Sequence, residues 1–460
     1  MIYNLLSFIV LIASIKLFQM NVGSLSLLRL NMINWIFYYN LIIQSFISSL
    51  LTINHLDNHY LISKVSEEAR FRGWITIQYV MFMLPLAMLL VNKITGYSAK
   101  NKLKRYLKTK ITFRNIKSET YLRQFLYFLS FISFGAVIYT FLNLKKIPLL
   151  ALFNNRSAIE LSFLRQEVSR NFTGNEYIRN ILAIGMTPLL TYISFAYYFT
   201  TRNKKDFYWF LSLLAASLLI LTYDLSKSPI INFFIGFIFC CVLLKGKISK
   251  KSFSIALILG LILILFTYIS VTKIDDYHTL LSYNKSLLGR ILLSQSAGIY
   301  LSYQYFPNNH EHIGFSSISR YLSSLFGQNF EPRSARTIMT IVNSKGIENG
   351  TAGVVNSLFV AEAWANWGFY GVLISPIIVG MVIQIIFLFF LTHKKTPFMV
   401  GLFTYISIKL PVTGGFNDFI YNAVMFSIII ILFVTYLIAK SVKKERQKNY
   451  ANNISSSIAT

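Results

Sequence analysis

Residues 74–117 read WITIQYVMFMLPLAMLLVNKITGYSAKNKLKRYLKTKITFRNIK. Up to Ile94 the stretch carries only Lys93 as a charge, and about 20 such residues are what a helix needs to cross ~30 Å of hydrocarbon. From position 99 the character inverts. Lys100, Lys102, Lys104, Arg105, Lys108, Lys110, Arg114 and Lys117 follow with no acid among them. An apolar run that stops at a basic loop marks a membrane span and the side on which it ends, because cytoplasmic loops concentrate Lys and Arg.

The same pattern recurs along the chain. Apolar runs fall near 2–20, 33–53, 74–94, 121–143, 180–200, 207–223, 229–244, 252–272, 371–392, 397–413 and 419–439, about eleven in all. Over 460 residues the chain is 55% hydrophobic and 13% charged, with mean hydropathy +0.54. A soluble domain carries about 25% charged residues. These figures exclude a soluble enzyme, a disulfide-stapled secreted domain and a disordered chain. The expected fold is all-α: one polytopic transmembrane bundle over 1–460. The first charge, Lys16, follows the first apolar run, whereas a cleavable signal has a basic region before it, so that run is expected to stay as a helix. Cys240 and Cys241 are adjacent inside a span, unsuited to stapling distant loops or binding metal, and read as small buried residues.

The formal charge of +27 then concerns sidedness rather than nucleic acid, which is not expected as a partner. Alternating the spans from 99–117 puts 21–32, 200–206, 245–251, 393–396 and the tail from Lys440 on the basic side. With 99–117 these segments hold just over half of the 44 Lys and Arg, against only Asp206 and Glu445 among the 17 acids. The amino terminus is expected outside and the carboxyl terminus inside. Two long loops, 144–179 and 273–355, then share the outer face, where recognition and chemistry are expected.

In the first loop Leu161, Leu164, Val168 and Phe172 recur at helical spacing within 158–172. That predicts an amphipathic helix on the bilayer surface or on the bundle. It carries Arg165 and Arg170 between Arg156 and Arg179. These arginines meet either lipid headgroups and nearby acids or a bound anion. The second loop holds Arg290, Arg320, Arg333, Arg336, His310, Glu311, His312, Glu331 and Glu348, and Phe315, Ile318, Leu322 and Leu325 predict a short helix. His310-Glu311-His312 does not put its imidazoles on one helical face and lacks the His-Glu-x-x-His spacing, so no metal site is expected. A role as general base or sugar ligand stays open for either histidine.

Glu362 stands alone in an apolar stretch, Ala361-Glu362-Ala-Trp-Ala-Asn366-Trp-Gly368-Phe-Tyr-Gly371. A carboxylate at that depth is costly unless paired or functional. It is either an ion pair locking loop to bundle or a catalytic or binding group. Gly368 and Gly371 predict a break between a short interfacial helix and the next crossing. Asp224-Leu-Ser-Lys227-Ser-Pro229 reads as a tight turn, and Asp418 is the expected partner of Lys409.

Guanidinium groups from two loops suit phosphate oxygens, which they grip bidentately while remaining charged. The chain has no phosphate-binding glycine loop, so energy must come from the substrate or a gradient. The basic-loop topology, the outer loop with Arg156, Leu287-Leu-Gly-Arg290 and the 361–371 motif resemble the oligosaccharide-repeat-unit polymerase family, the bacterial Wzy-type O-antigen polymerases. The chain departs from that pattern at Lys227, where members often place an arginine. The resemblance implies a GT-C-like glycosyltransferase in the bacterial inner membrane, active on the periplasmic face. It would move a growing glycan from undecaprenyl diphosphate to a new lipid-linked repeat unit, without a cofactor. On this reading Arg156, Arg165, Arg290, Arg333 and Arg336 bind diphosphate, and Glu362, His310 or His312 orients or deprotonates the acceptor. The implied partners are the lipid-linked oligosaccharide and membrane lipids, with a chain-length regulator protein as a further candidate. The alternatives are a lipid-linked oligosaccharide flippase, which would place its cations inside the spans, and an O-antigen ligase of the same layout.

Overall fold

The computed structural model describes residues 1–97, 99–113, 116–151, 158–272, 282–284, 286–434 and 436–437. Among them every regular element is helical. The chain runs α1 (Ile2–Val22), α2 (Met32–Ile53), α3 (Glu67–Ile94), the basic α4 (Ala99–Lys108), α5 (Ile116–Leu142) and α6 (Ala158–Arg170). Next come α7 (Ile178–Thr201), α8 (Lys204–Thr222), α9 (Lys227–Lys245), α10 (Lys250–Thr272), α11 (Ala297–Tyr305) and α12 (Ser334–Val342). Last are α13 (Val360–Thr392), α14 (Pro397–Lys409) and α15 (Asn417–Val434).

Nine helices among the described residues are long and apolar enough to cross a bilayer, which makes the chain a multi-pass membrane protein. Among the described residues each of the about eleven expected runs falls largely on helix, but α14 covers 397–409 rather than 397–413. Pro411 disfavours helix at Leu410, and 13 residues rise only about 20 Å. In contrast, α3 starts seven residues before the apolar run. The Ser66 hydroxyl accepts from the Ala69 N–H at 3.3 Å, and Glu67 and Glu68 sit in the first turn, where the helix dipole favours acids.

The central packing sets α13 along α3, α14 along α7, and α1 against α3. Buried amides tie these helices where apolar contact alone gives little specificity in lipid. Asn92 donates to Asn21 at 2.9 Å, Gln384 donates to Asn92 at 2.5 Å, and Asn21 donates to the Pro85 carbonyl at 2.7 Å. At the basic face the buried Lys395 donates to the carbonyls of Thr109 at 3.0 Å and Tyr106 at 3.4 Å. It thus neutralises the carbonyl end of α4, and burial lowers its pKa to about 8.

On the opposite face the second loop is not all surface. The segment from Arg290 through α11 folds back into the bundle, and Leu293, Ala297, Ile299 and Tyr300 are fully buried. Its apolar run is too short to read as a span, yet α11 packs against both α3 and α13. The short helix expected from Phe315, Ile318, Leu322 and Leu325 is present over the second half of that stripe, with Phe315 and Ile318 in turns before it. The helix there is only Arg320–Leu325, Leu325 is exposed, and Phe315 stacks on Phe326 at 4.2 Å. The break in α13 is present: Trp367 and Gly368 leave helical geometry, with Gly368 at φ +57°, ψ −137°. That region is open essentially to glycine alone.

Gly371 sits just past the break, where a Cβ would overlap the Ala363 carbonyl oxygen. Gly371→Ala should therefore cost about 1–3 kcal/mol, seen as a lower thermal unfolding midpoint in detergent. An unchanged midpoint would mean that the two halves of α13 are not held this closely.

Candidate functional site

The break in α13 leaves its first two turns, 360–366, facing the second loop and the α14–α15 connection. The Phe359 N–H donates to the Val412 carbonyl at 2.9 Å, and the Ile313 and Gly314 N–H groups donate to the carbonyls of Ala365 and Asn366 at 3.0 and 2.9 Å. This seam brings Glu362 and Arg333 together. Arg333 Nε donates to Glu362 Oε1 at 2.6 Å and Nη2 to Oε2 at 2.8 Å, a bidentate pair, while Nη1 donates to Asp418 Oδ1 at 3.0 Å. The Asn417 N–H also donates to Glu362 Oε2, at 2.8 Å. Both oxygens of the buried Glu362 are thus occupied.

Burial works against the charge on Arg333, but the hydrogen bond and charge of Glu362, and then those of Asp418, outweigh it and hold the guanidinium above its ordinary pKa. Behind the pair lies a second layer: Asn366 donates to Asn417 Oδ1 at 2.8 Å, and Asn417 donates to Ser317 Oγ at 3.0 Å. Gly415 lies against it, since a Cβ there would overlap Arg333 Nη2 and Glu362 Oε2.

Arg333, Arg336, Asn356 and Asp418 line an open cleft of about 460 Å³. Arg336 donates to the Gly353 carbonyl at 3.3 Å and has no carboxylate partner among the described residues. Asp418 also lines a second, apolar groove of about 610 Å³. Its walls run from Leu410 and Phe419 past Met425 and Ile429 to Phe389 and His393, along α13, α14 and α15 to the basic face. One carboxylate therefore lines both the cationic cleft and the apolar groove.

The first loop reaches the same region. Leu161 and Leu164 of α6 bury against Leu225 in the turn before α9, so α6 docks on the bundle. Gln166 and Phe163 approach Gly353 and Gly350. Arg165 and Arg290 both act electrostatically on Lys227, which forms a cationic group of three. Arg165 and Arg290 have no carboxylate partner among the described residues. Asp224 serves the turn itself, accepting from the Ser226 N–H at 3.0 Å and its hydroxyl at 2.6 Å.

Several expected roles change. Arg179 is buried, stacked over Phe172 at 4.6 Å and bonded to the Asn180 side chain at 3.0 Å, so it braces the loop rather than facing a ligand. Asp418 pairs with Arg333 and not with Lys409, whose amine lies over the Tyr405 ring at 6.0 Å. His310 bonds the Glu311 carbonyl at 2.8 Å and approaches Glu331 at 3.7 Å. His312 bonds the Ala365 carbonyl at 3.3 Å and packs against Gly368 and Trp364. Neither bonds Glu362. Arg156 lies outside the described residues.

Sequence reading missed Asn417, Ser317, Gly415 and the loop 54–66. In that loop Asp57 is buried against Arg70 of α3 at 2.7 Å, and His59 Nε2 and Ser294 Oγ are 2.8 Å apart, just beyond Arg290. Burial and then the Arg290 charge lower the His59 pKa to about 4. The signal in 54–66 was a cluster of His, Asp and Asn in a loop, which reads equally well as solvated surface. No family model, curated protein or solved structure matches the chain.

Two outcomes test this geometry. Glu362→Gln should lower stability by about 1–3 kcal/mol, less than the ~3–5 kcal/mol for a fully buried pair, because the Arg333 side chain is 36% exposed. Thermal unfolding against wild type measures it. His59 stays neutral when folded, so its contribution is present above its ordinary pKa of 6.5 and is lost as pH falls from there through about 4. His59→Gln should flatten that acid loss, and an identical pH dependence in the variant would refute the assignment.

Proposed function

We propose that the chain is a membrane glycosyltransferase of the repeat-unit polymerase type, GT-C-like in design. On this reading it transfers a growing glycan from undecaprenyl diphosphate to a second lipid-linked repeat unit on the periplasmic side of the bacterial inner membrane. One observation carries the reading: Asp418 lines both the cleft of Arg333 and Arg336 and an apolar groove walled by α13, α14 and α15. A substrate with an anionic head and a long hydrocarbon tail suits that pairing. A free sugar or an inorganic ion needs no such groove.

In the transfer, the acceptor hydroxyl attacks the anomeric carbon of the donor while the bond from that carbon to the diphosphate oxygen breaks. The departing diphosphate leaves with the electron pair, and cations fixed beforehand stabilise it best. Glu362, itself held by the Asn417 N–H, keeps Arg333 in position, and Arg336 supplies charge with no carboxylate partner among the described residues. Arg165, Lys227 and Arg290 add positive potential where a second diphosphate headgroup would approach. The flippase reading fits less well, because these cations sit in the loop seam and not along a central passage.

Deleting the protein from its host should leave surface glycan with at most one repeat unit, resolved on a gel of the extracted glycolipid. Arg336→Ala should shorten chains with normal membrane insertion. A full ladder after deletion would reject a polymerase, and bare core with long polymer still on its carrier would indicate a ligase.

A further inference from the structure

We infer that Asp418 is the general base that deprotonates the acceptor hydroxyl; this rests on the polymerase reading above. The carboxylate that sequence reading favoured, Glu362, has its oxygens taken by Arg333 Nε, Arg333 Nη2 and the Asn417 N–H. Three of its four acceptor sites are so taken and the side chain is buried, so it holds its neighbour in place. His310 and His312 are turned to backbone carbonyls.

Asp418 differs on each count. Oδ1 accepts one bond, from Arg333 Nη1 at 3.0 Å, and Oδ2 has no hydrogen-bond partner among the described residues. The side chain is 23% exposed, against 6% for Glu362. It lines both the cationic cleft and the apolar groove, so it faces the cleft that would hold the diphosphate and the sugar joined to it. Gly414 packs beside Oδ2, where a Cβ would stand 3.4 Å away. Arg333 links the base to the leaving group: its Nη1 holds Oδ1 while Glu362 fixes the other edge of the guanidinium.

The step balances. Asp418 takes the proton as the acceptor oxygen bonds to the anomeric carbon, the carbon–oxygen bond to the diphosphate breaks, and the lipid diphosphate leaves as an anion. The proton then passes to that diphosphate or to water.

The test uses the full chain in lipid nanodiscs, with undecaprenyl diphosphate as the binding probe and lipid-linked glycans extracted from the deletion host as the substrate. Asp418→Asn and Asp418→Ala should lose elongation by ~10²-fold or more, the usual contribution of a general base, while binding undecaprenyl diphosphate within a few-fold of wild type. Formate, a small carboxylate, should restore part of the Asp418→Ala activity. Near-normal elongation in Asp418→Asn overturns the assignment. So does joint loss of binding and elongation without formate rescue, which would make Asp418 a support for Arg333 only. Wild-type protein that neither binds the carrier diphosphate nor elongates would fail the polymerase reading itself, a result separable from either.

Discussion

The guanidinium of Arg333, held between Glu362 and Asp418, is the interaction on which the loop face depends. A lone carboxylate in the apolar start of α13 would be driven out of the bundle or neutralised. Pairing it bidentately draws the second loop down onto the bundle and sets the position of Asp418 and the α14–α15 connection with it. The break at Gly368 turns the first turns of α13 toward that pair, and Gly415 lets the backbone pass close enough to complete it.

Such pairs bring little net stability, because desolvation offsets most of the Coulomb attraction. Their value here is geometric. Arg333 is pinned along one edge by a saturated carboxylate and on the other by a carboxylate that still faces the cleft. A cation held in this way needs no reorganisation when charge develops on a leaving group. The apolar groove beside it is walled by α13, α14 and α15.

Much of the architecture was legible in the amino-acid order, since hydrocarbon thickness forces long apolar runs and those runs fall on helices. The break at Gly368 was legible too, as was the docking stripe of Leu161, Leu164 and Val168. What escaped reading was depth. The segment 290–305 is too short and too polar at Ser294 and Gln295 to look buried, and only packing against α3 and α13 makes it so. Within the site, Glu362 and Arg333 could be singled out by rarity, but their pairing across 29 residues could not. Asn417 and Ser317 are common residues whose role arises from where the chain returns. Asp418 was noticed and given the wrong partner, because proximity along the chain favoured Lys409.

The most direct measurement is a cryo-electron microscopy structure of the protein in nanodiscs with undecaprenyl diphosphate added. Density for the diphosphate beside Arg333 and Arg336, with the isoprenoid chain lying between α13, α14 and α15, is the expected result. A chain bound elsewhere on the bundle, or a cleft that stays empty at saturating lipid, would contradict it.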